Sequence, residues 1–456
     1  MKIKFVCIAF LLTFIKGVQL DQSLDDFINE QVKASRQGVL ANIGGINGTN
    51  VPGVLDGVVV ASPSRFNYFC WTRNAAITFQ ALIERFIYGI TWLEPLIKSY
   101  VDSVKTIQGV ENLSGQINTG GLGEPKFYPN QTSFMEPWAR PQRDGPALRA
   151  SALMDYGLSI YSTQEPYVTD VLWPIIKTDL DYVVGYWNMS GFDLWEEMKG
   201  SSFFTIAVQH KTLRKGFEFS SLFGITNSTY FDHSGLLLCF LQSFWSDGHV
   251  EANINVENNR SGLDASTILA SIHTFSPDLG CDERTFQPCS SRALANHKRV
   301  VDSFRTIYEI NRAASSNTPV AIGRYPEDDY YGGNPWYSTT LAAAEQLYDA
   351  LNMWQQLNQV NVTEISLEFF QAIAPGISVG SYGSDSPIFH LIISNVQSYA
   401  EGFLSIIRNY TPPLGPIHEQ FSKLSKNFHT FQNKPRMLLF RDSWTQLACA
   451  TIFLTL

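Results

Sequence analysis

The sequence predicts an all-α chain, and three observations predict it: apolar residues recur at three- and four-residue spacing, strand-like alternation is scarce, and no strand–helix–strand rhythm appears. Ala76, Phe79, Ile83 and Phe86 form the first stripe. Val168, Leu172, Ile175, Leu180 and Val183 form the next, followed by Val300, Phe304 and Ile307. Leu341, Ala344, Leu347, Leu351 and Trp354 make a fourth, and Ile392, Val396, Tyr399, Phe403 and Ile406 a fifth. Each leaves a helix one apolar face, which is stable only when another element covers it. Asp144-Gly145-Pro146 reads as a helix start, with proline tolerated in the first turn and the acid at the positive end of the dipole.

Between these helices run long Gly-, Asn-, Pro- and Trp-rich stretches: 115–141, 186–205, 323–336 and 409–419. Loops of this length are uncommon unless they carry function. The 456 residues are 45% hydrophobic and only 16% charged, so a large packed core is expected and disorder is not. A net charge of −9 without a Lys/Arg cluster argues against nucleic acid as a partner. Ten Trp and nineteen Tyr agree with sugar stacking, although aromatic side chains usually fill cores.

Lys2 and Lys4 precede an apolar run from Phe5 to Phe14, then small residues near Gly17 and the acidic Asp21. That is the layout of a signal peptide over residues 1–19, too short to span a bilayer. The chain is therefore expected to be secreted or, alternatively, vacuolar, with no membrane association and as a monomer. Eight N-x-S/T sequons agree with export: Asn47, Asn112, Asn130, Asn188, Asn227, Asn259, Asn361 and Asn409. Removal of Cys7 leaves five cysteines. Cys281 and Cys289 close a short loop and are the expected disulfide, while the odd count leaves a thiol among Cys70, Cys239 and Cys449. No CxxC or HExxH occurs, so no metal site is expected.

The densest acidic–aromatic cluster is Asp193-Leu194-Trp195-Glu196-Glu197. Three carboxylates within five residues repel one another, and a neighbouring Trp lowers the local polarity. Both effects raise a carboxyl pKa, as a general acid requires. A rival motif, Gly376-Ile377-Ser378-Val379-Gly380, has the spacing of an esterase nucleophile elbow, but that elbow needs a preceding strand and LEFFQAIA reads as helix. Gly120-Gly121-Leu122-Gly123 likewise lacks the strand a dinucleotide site would need.

The run SGFDLWEEMKGSSFFT resembles the active-site signature of the glucoamylase family of glycoside hydrolases. WARPQRDGPALRA, TFQPCSSRALANHK, GRYPEDDYYGGNPW and LAAAEQLYDAL match that family in the same order, so the similarity runs from about residue 24 to beyond 445. The resemblance implies an (α/α)6 barrel as a single catalytic domain over 20–456, without an appended starch-binding module. It implies an exo-acting, inverting hydrolase that needs no cofactor. Such an enzyme releases β-D-glucose from terminal α-1,4 bonds, and slowly from α-1,6 bonds, of starch, glycogen and maltooligosaccharides. By motif, the catalytic residues are Glu196 as the general acid, Asp193 as an acidic neighbour that helps set its pKa or acts as proton acceptor, and Glu419 as the base that activates water. Trp138, Trp187, Leu194, Trp195, Glu197, Arg73, Asn74, Arg324 and Trp444 would contact the sugar.

Three departures from the family pattern stand out. The early W-T-R-D motif is here Trp71-Thr72-Arg73-Asn74, the stretch before it is one residue short, and the block around Arg441-Asp442-Ser443-Trp444 matches only in part. Asn keeps a hydrogen bond and loses a charge, with Arg73 the expected partner of a restored Asp. The alternative these departures raise is a weakened paralogue that binds α-glucans without efficient hydrolysis.

Overall fold

The structure, a computed structural model, describes residues 22–45, 53–61, 69–226, 228–257, 259–412 and 417–424. The signal peptide, Asn47, Asn227, Trp444 and Cys449 lie outside the described residues.

Helices dominate. Five of them bury residues around most of their circumference: α2 (Thr72–Ile87), α4 (Asp144–Tyr167), α6 (Phe203–Ser221), α8 (Ser266–His273) and α10 (Tyr337–Leu357). They pack in that order, each against the next. Small side chains permit this: Ala147, Ala150 and Ala152 of α4 and Ala342, Ala343 and Ala344 of α10 are all fully buried. At Gly145 a Cβ would lie 2.9 Å from the Thr72 side chain, so only glycine lets α4 come this close to α2.

A second set of helices lies outside the first: α1 (Gln22–Ala41), α3 (Glu94–Gln108), α5 (Trp173–Tyr186), α7 (Ser228–Leu241), α9 (Ser291–Ser303), α11 (Leu367–Ile373) and α12 (Pro387–Tyr410), with α1 resting on α12 and α11 on α9 and α12. α3 lies on α2, α5 on α4 and α6, α9 on α8, and α12 on α10. A buried ion pair, Arg149 with Asp179, ties α4 to α5 at 2.6 Å. Burial alone would push the Asp179 carboxyl up, and Arg149 opposes this.

Four of the five apolar stripes fall on single helices or helix joins; Val168–Leu172 is one turn of π-helix leading into α5. The stripe from Val300 is the exception. α9 stops at Ser303, Phe304 caps it, and Ile307 lies beyond, because the chain turns through Asn311, whose side chain donates to the Phe304 and Ala321 carbonyls. Among the described residues the strands are two to four residues long and form only small antiparallel sheets. Gly376–Gly380 follows helix α11, so the esterase elbow is absent. Cys281 and Cys289 are disulfide-bonded as expected, whereas Cys70 is a buried thiol and Cys239 an exposed one.

Candidate active site

The long loops converge at the N-terminal ends of the inner helices. β1 (Cys70–Trp71) pairs with β2 (Lys126–Phe127) and sets Trp71 directly before α2. β3 (Gly191–Phe192) and β4 (Lys199–Ser202) form a hairpin, Gly191 opposite Gly200, whose connection is Asp193–Met198. Inside that connection Glu196 has φ +65°, a left-handed conformation that a non-glycine residue adopts at a cost of order 1–3 kcal/mol. The hydrogen bond from Glu196 N to the Asp193 carbonyl, 3.0 Å, closes the turn.

A cavity of about 400 Å³ opens here. It is lined by Arg73, Asn74, Trp138, Leu194, Trp195, Glu196, Glu197, Arg324 and Glu419, all expected from the sequence. Trp71, Tyr330, Trp336, Ser338, Ala61 and Ala139 also line it and were not anticipated. The signal for several of these was present, since Trp71 sits in the W-T-R-N motif and Tyr330 and Trp336 in GRYPEDDYYGGNPW.

Each acid has its own set of partners. Glu196 accepts from Trp71 Nε1 (2.9 Å) and Gln142 Nε2 (2.9 Å) on one oxygen and from Trp138 Nε1 (3.0 Å) on the other. Glu197 accepts from Arg324 (2.8 Å), Arg260 (2.6 Å) and the Tyr325 hydroxyl (2.5 Å). Burial works against the Glu197 charge, but Arg324, Tyr325 and Arg260 outweigh it and hold the carboxyl below its ordinary value. Arg324 is itself gripped by Asp328 at 2.6 and 2.9 Å.

Asp193 does not line the cavity. It is 2% exposed and accepts the backbone N–H groups of Glu197 (2.9 Å) and Met198 (3.1 Å) and the Asn253 amide (3.2 Å). Burial raises its carboxyl above the usual range, with Glu197 adding to that. The crowding of three carboxylates inferred from spacing is thus relieved, because two arginines face Glu197 and Asp193 folds back beneath the turn.

Trp187 is a further correction. Its indole donates to His233 Nδ1 at 2.9 Å and packs near Phe240, which directs it to α7 and away from the cavity. Arg73 faces Asp144, with a second bond to it at 3.1 Å and one to Gln142 at 2.6 Å, so it is already committed and is not a spare partner for residue 74.

Trp195 is anchored from below. Its indole N–H points between both oxygens of Asp264, at 2.9 and 3.0 Å, and Asp264 also accepts Ser266 N at the start of α8. Burial pushes the Asp264 carboxyl up to about 7. No group of His, Cys, Asp and Glu among the described residues has the arrangement of a metal site. The cavity presents three carboxylates, Glu196, Glu197 and Glu419, to a space walled by indoles, with Arg324 paired to Glu197 at its side.

Glu419 reaches this space on a short segment bonded to the start of α10. Tyr337 N donates to the Glu419 carbonyl at 3.2 Å, Phe421 N to the Pro335 carbonyl at 3.0 Å, and Phe421 packs on Tyr337 and Tyr410.

Comparison with known proteins agrees with this geometry. Residues 33–437 match the glycosyl hydrolases family 15. Glucoamylase-1 of Schizophyllum commune is 48% identical over 407 residues, covering 88% of this chain and 70% of its own length. The glucoamylase of Neurospora crassa is 45% identical, and the aligned part is 65% of that protein. The solved family 15 glucoamylase of Hypocrea jecorina superposes with a TM-score of 0.90 at 44% identity, over 95% of this chain and 72% of that one. The smaller Saccharomycopsis fibuligera glucoamylase superposes at 0.85 and 27% identity over 97% of both. The chain belongs to the glycosyl hydrolases family 15 and is a glycoside hydrolase of that family, built on an (α/α)6 barrel.

Proposed function

We propose that this chain hydrolyses α-glucans of the starch type from their non-reducing ends by a single inverting displacement that releases β-D-glucose. One observation carries the reading: Glu196 and Glu419, from loops far apart in the chain, line one cavity walled by Trp71, Trp138, Trp195 and Trp336. Glu196 is the general acid that protonates the leaving oxygen. Glu419 draws a proton from water on the opposite face of the sugar, an arrangement that in inverting enzymes separates the carboxyls by about 6.5–9.5 Å. Arg324 and Glu197 bind sugar hydroxyls, with Arg324 oriented by Asp328. The names of the relatives, glucoamylases, support the substrate class, and the proposal takes α-1,4 bonds as the main target and α-1,6 bonds as the slower one.

Proton NMR of the first turnovers on maltoheptaose tests this. β-glucose is expected as the initial product, whereas initial α-glucose or internal cleavage products would end the reading.

A second reading, a glucan-binding chain with weakened hydrolysis, is favoured by Asn74. It is 9% exposed and lines the cavity where the family carries an aspartate. Maltose binding by calorimetry without matching glucose release would establish it.

Export is proposed with the same function. No described helix is long and apolar enough to cross a membrane. Asn130, Asn188, Asn259, Asn361 and Asn409 are exposed and suited to carry glycans. Asn112 is not, since its amide already donates to the Val110 and Gly121 carbonyls at 3.0 Å.

A further inference from the structure

Beneath the cavity wall lies a buried cation with no partner of the usual kind. Lys126 of β2 is 2% exposed, yet its ammonium makes no ion pair or hydrogen bond among the described residues. Four rings enclose it instead. Its Nζ lies 3.2 Å from the Trp138 ring centre, 4.0 Å from Phe134, 4.2 Å from Phe69 and 4.9 Å from Trp71. The obvious counter-ion, Glu124, is taken by Arg140 in a two-pronged pair at 2.9 Å. Trp138 and Trp71 are the two indoles that donate to opposite oxygens of Glu196.

We propose that Lys126 is a positioning residue for Glu196: its ammonium clamps Trp71 and Trp138 from below and supplies the positive field in which the Glu196 carboxyl exchanges its proton. A cation against an indole face is attracted by the ring's electron density, most strongly where water is excluded. The clamp thereby fixes both N–H groups at the Glu196 oxygens, and the unneutralised charge acts on that carboxyl through the rings. Glu196, Glu124 and Arg140 are the charged groups that face Lys126 among the described residues. Burial pushes the ammonium down to about 8, and Glu196 opposes the fall.

The inference rests on Glu196 being the proton donor, so Glu196→Gln is measured alongside. Lys126→Met removes the charge and keeps the length. The high-pH limb of kcat/KM on maltose should move upward by roughly half a unit or more, because a carboxyl that loses a nearby cation keeps its proton longer. Lys126→Arg, which retains the charge, should leave the limb within about 0.2 unit of wild type. An unmoved limb in a folded Met variant overturns the inference if Glu196→Gln is inactive. Substantial turnover by Glu196→Gln overturns the assignment of Glu196 itself. If Lys126→Met does not fold, the intact protein still decides. Its tryptophan emission should change as the buried ammonium loses its proton below the ordinary lysine range and lose that change in Trp138→Phe, and a wild-type protein without any transition from neutral pH up to that range overturns the clamp.

Discussion

Glu196 and Glu197 are adjacent in sequence and live in opposite environments. The Glu196 wall is made of neutral donors, two indoles and an amide, with Lys126 behind the rings and Arg73 behind the amide. The Glu197 wall is made of two guanidinium groups and a phenol in direct contact. The difference is what the proposed roles call for. A carboxylate locked between two arginines stays ionised and can hold a substrate in place, while Glu196, bound by no guanidinium, is the one left for the proton transfer proposed above. The positive φ at Glu196 is what turns the two side chains apart.

Four experiments bear on that contrast, beginning with the largest effect. Glu196→Gln removes the transferable proton and keeps the shape, so turnover on maltose should fall about 10²–10⁴-fold with maltose affinity nearly unchanged. Retention of a tenth of wild-type turnover would show that the proton comes from elsewhere. Glu197→Gln should act on the other parameter. It removes the counter-charge that Arg324 and Arg260 share, and KM should rise on the order of 10-fold or more while kcat falls less. Equal losses from the two variants would erase the distinction between the walls.

Asn74→Asp has a smaller expected effect. The neighbouring Arg73 is already bound to Asp144 and Gln142, so it is not free to pair with a new carboxylate. Turnover should change by less than about threefold, and thermal stability should drop by about 1–3 kcal/mol. A tenfold rise in kcat would instead mark Asn74 as the residue that limits the enzyme.

The smallest effect belongs to Asp264, beneath Trp195. Burial raises its carboxyl from 3.8 in the unfolded chain to about 7 in the folded one. A raised acid favours the native state at low pH, and this contribution is lost as pH climbs from about 4 through about 7. Between pH 5 and 8 the Tm should therefore fall by a few degrees more in wild type than in Asp264→Asn. Identical slopes would mean that Asp264 stays charged throughout.

Much of this was legible in the sequence, for identifiable reasons. A buried face needs apolar residues every three or four positions, so the helices announce themselves from Ala76 to Ile406. The acidic hairpin is local, with Asp193 through Met198 forming one turn, and local chemistry survives in a linear reading. The partners do not. Asp264 meets Trp195 across 69 residues and Arg324 meets Glu197 across 127, and no spacing rule links them. Trp187 shows the converse, because a Trp in a promising loop turned toward His233, and only packing could decide that. Arg73 followed the same logic, since its nearest neighbour in sequence is not its partner in space.

The left-handed backbone at Glu196 has an evolutionary consequence. Glycine is at ease at φ +65°, and asparagine nearly so, whereas glutamate is not. Glu196→Gly relieves the backbone but takes the acceptor from Trp71, Trp138 and Gln142, so relaxation of selection at this position has a downhill direction once water satisfies those donors. A lineage drifting from hydrolysis to simple sugar binding would be drawn toward glycine or asparagine here. That glutamate stands here, with three N–H donors aimed at it, marks a position where backbone comfort has given way to the site.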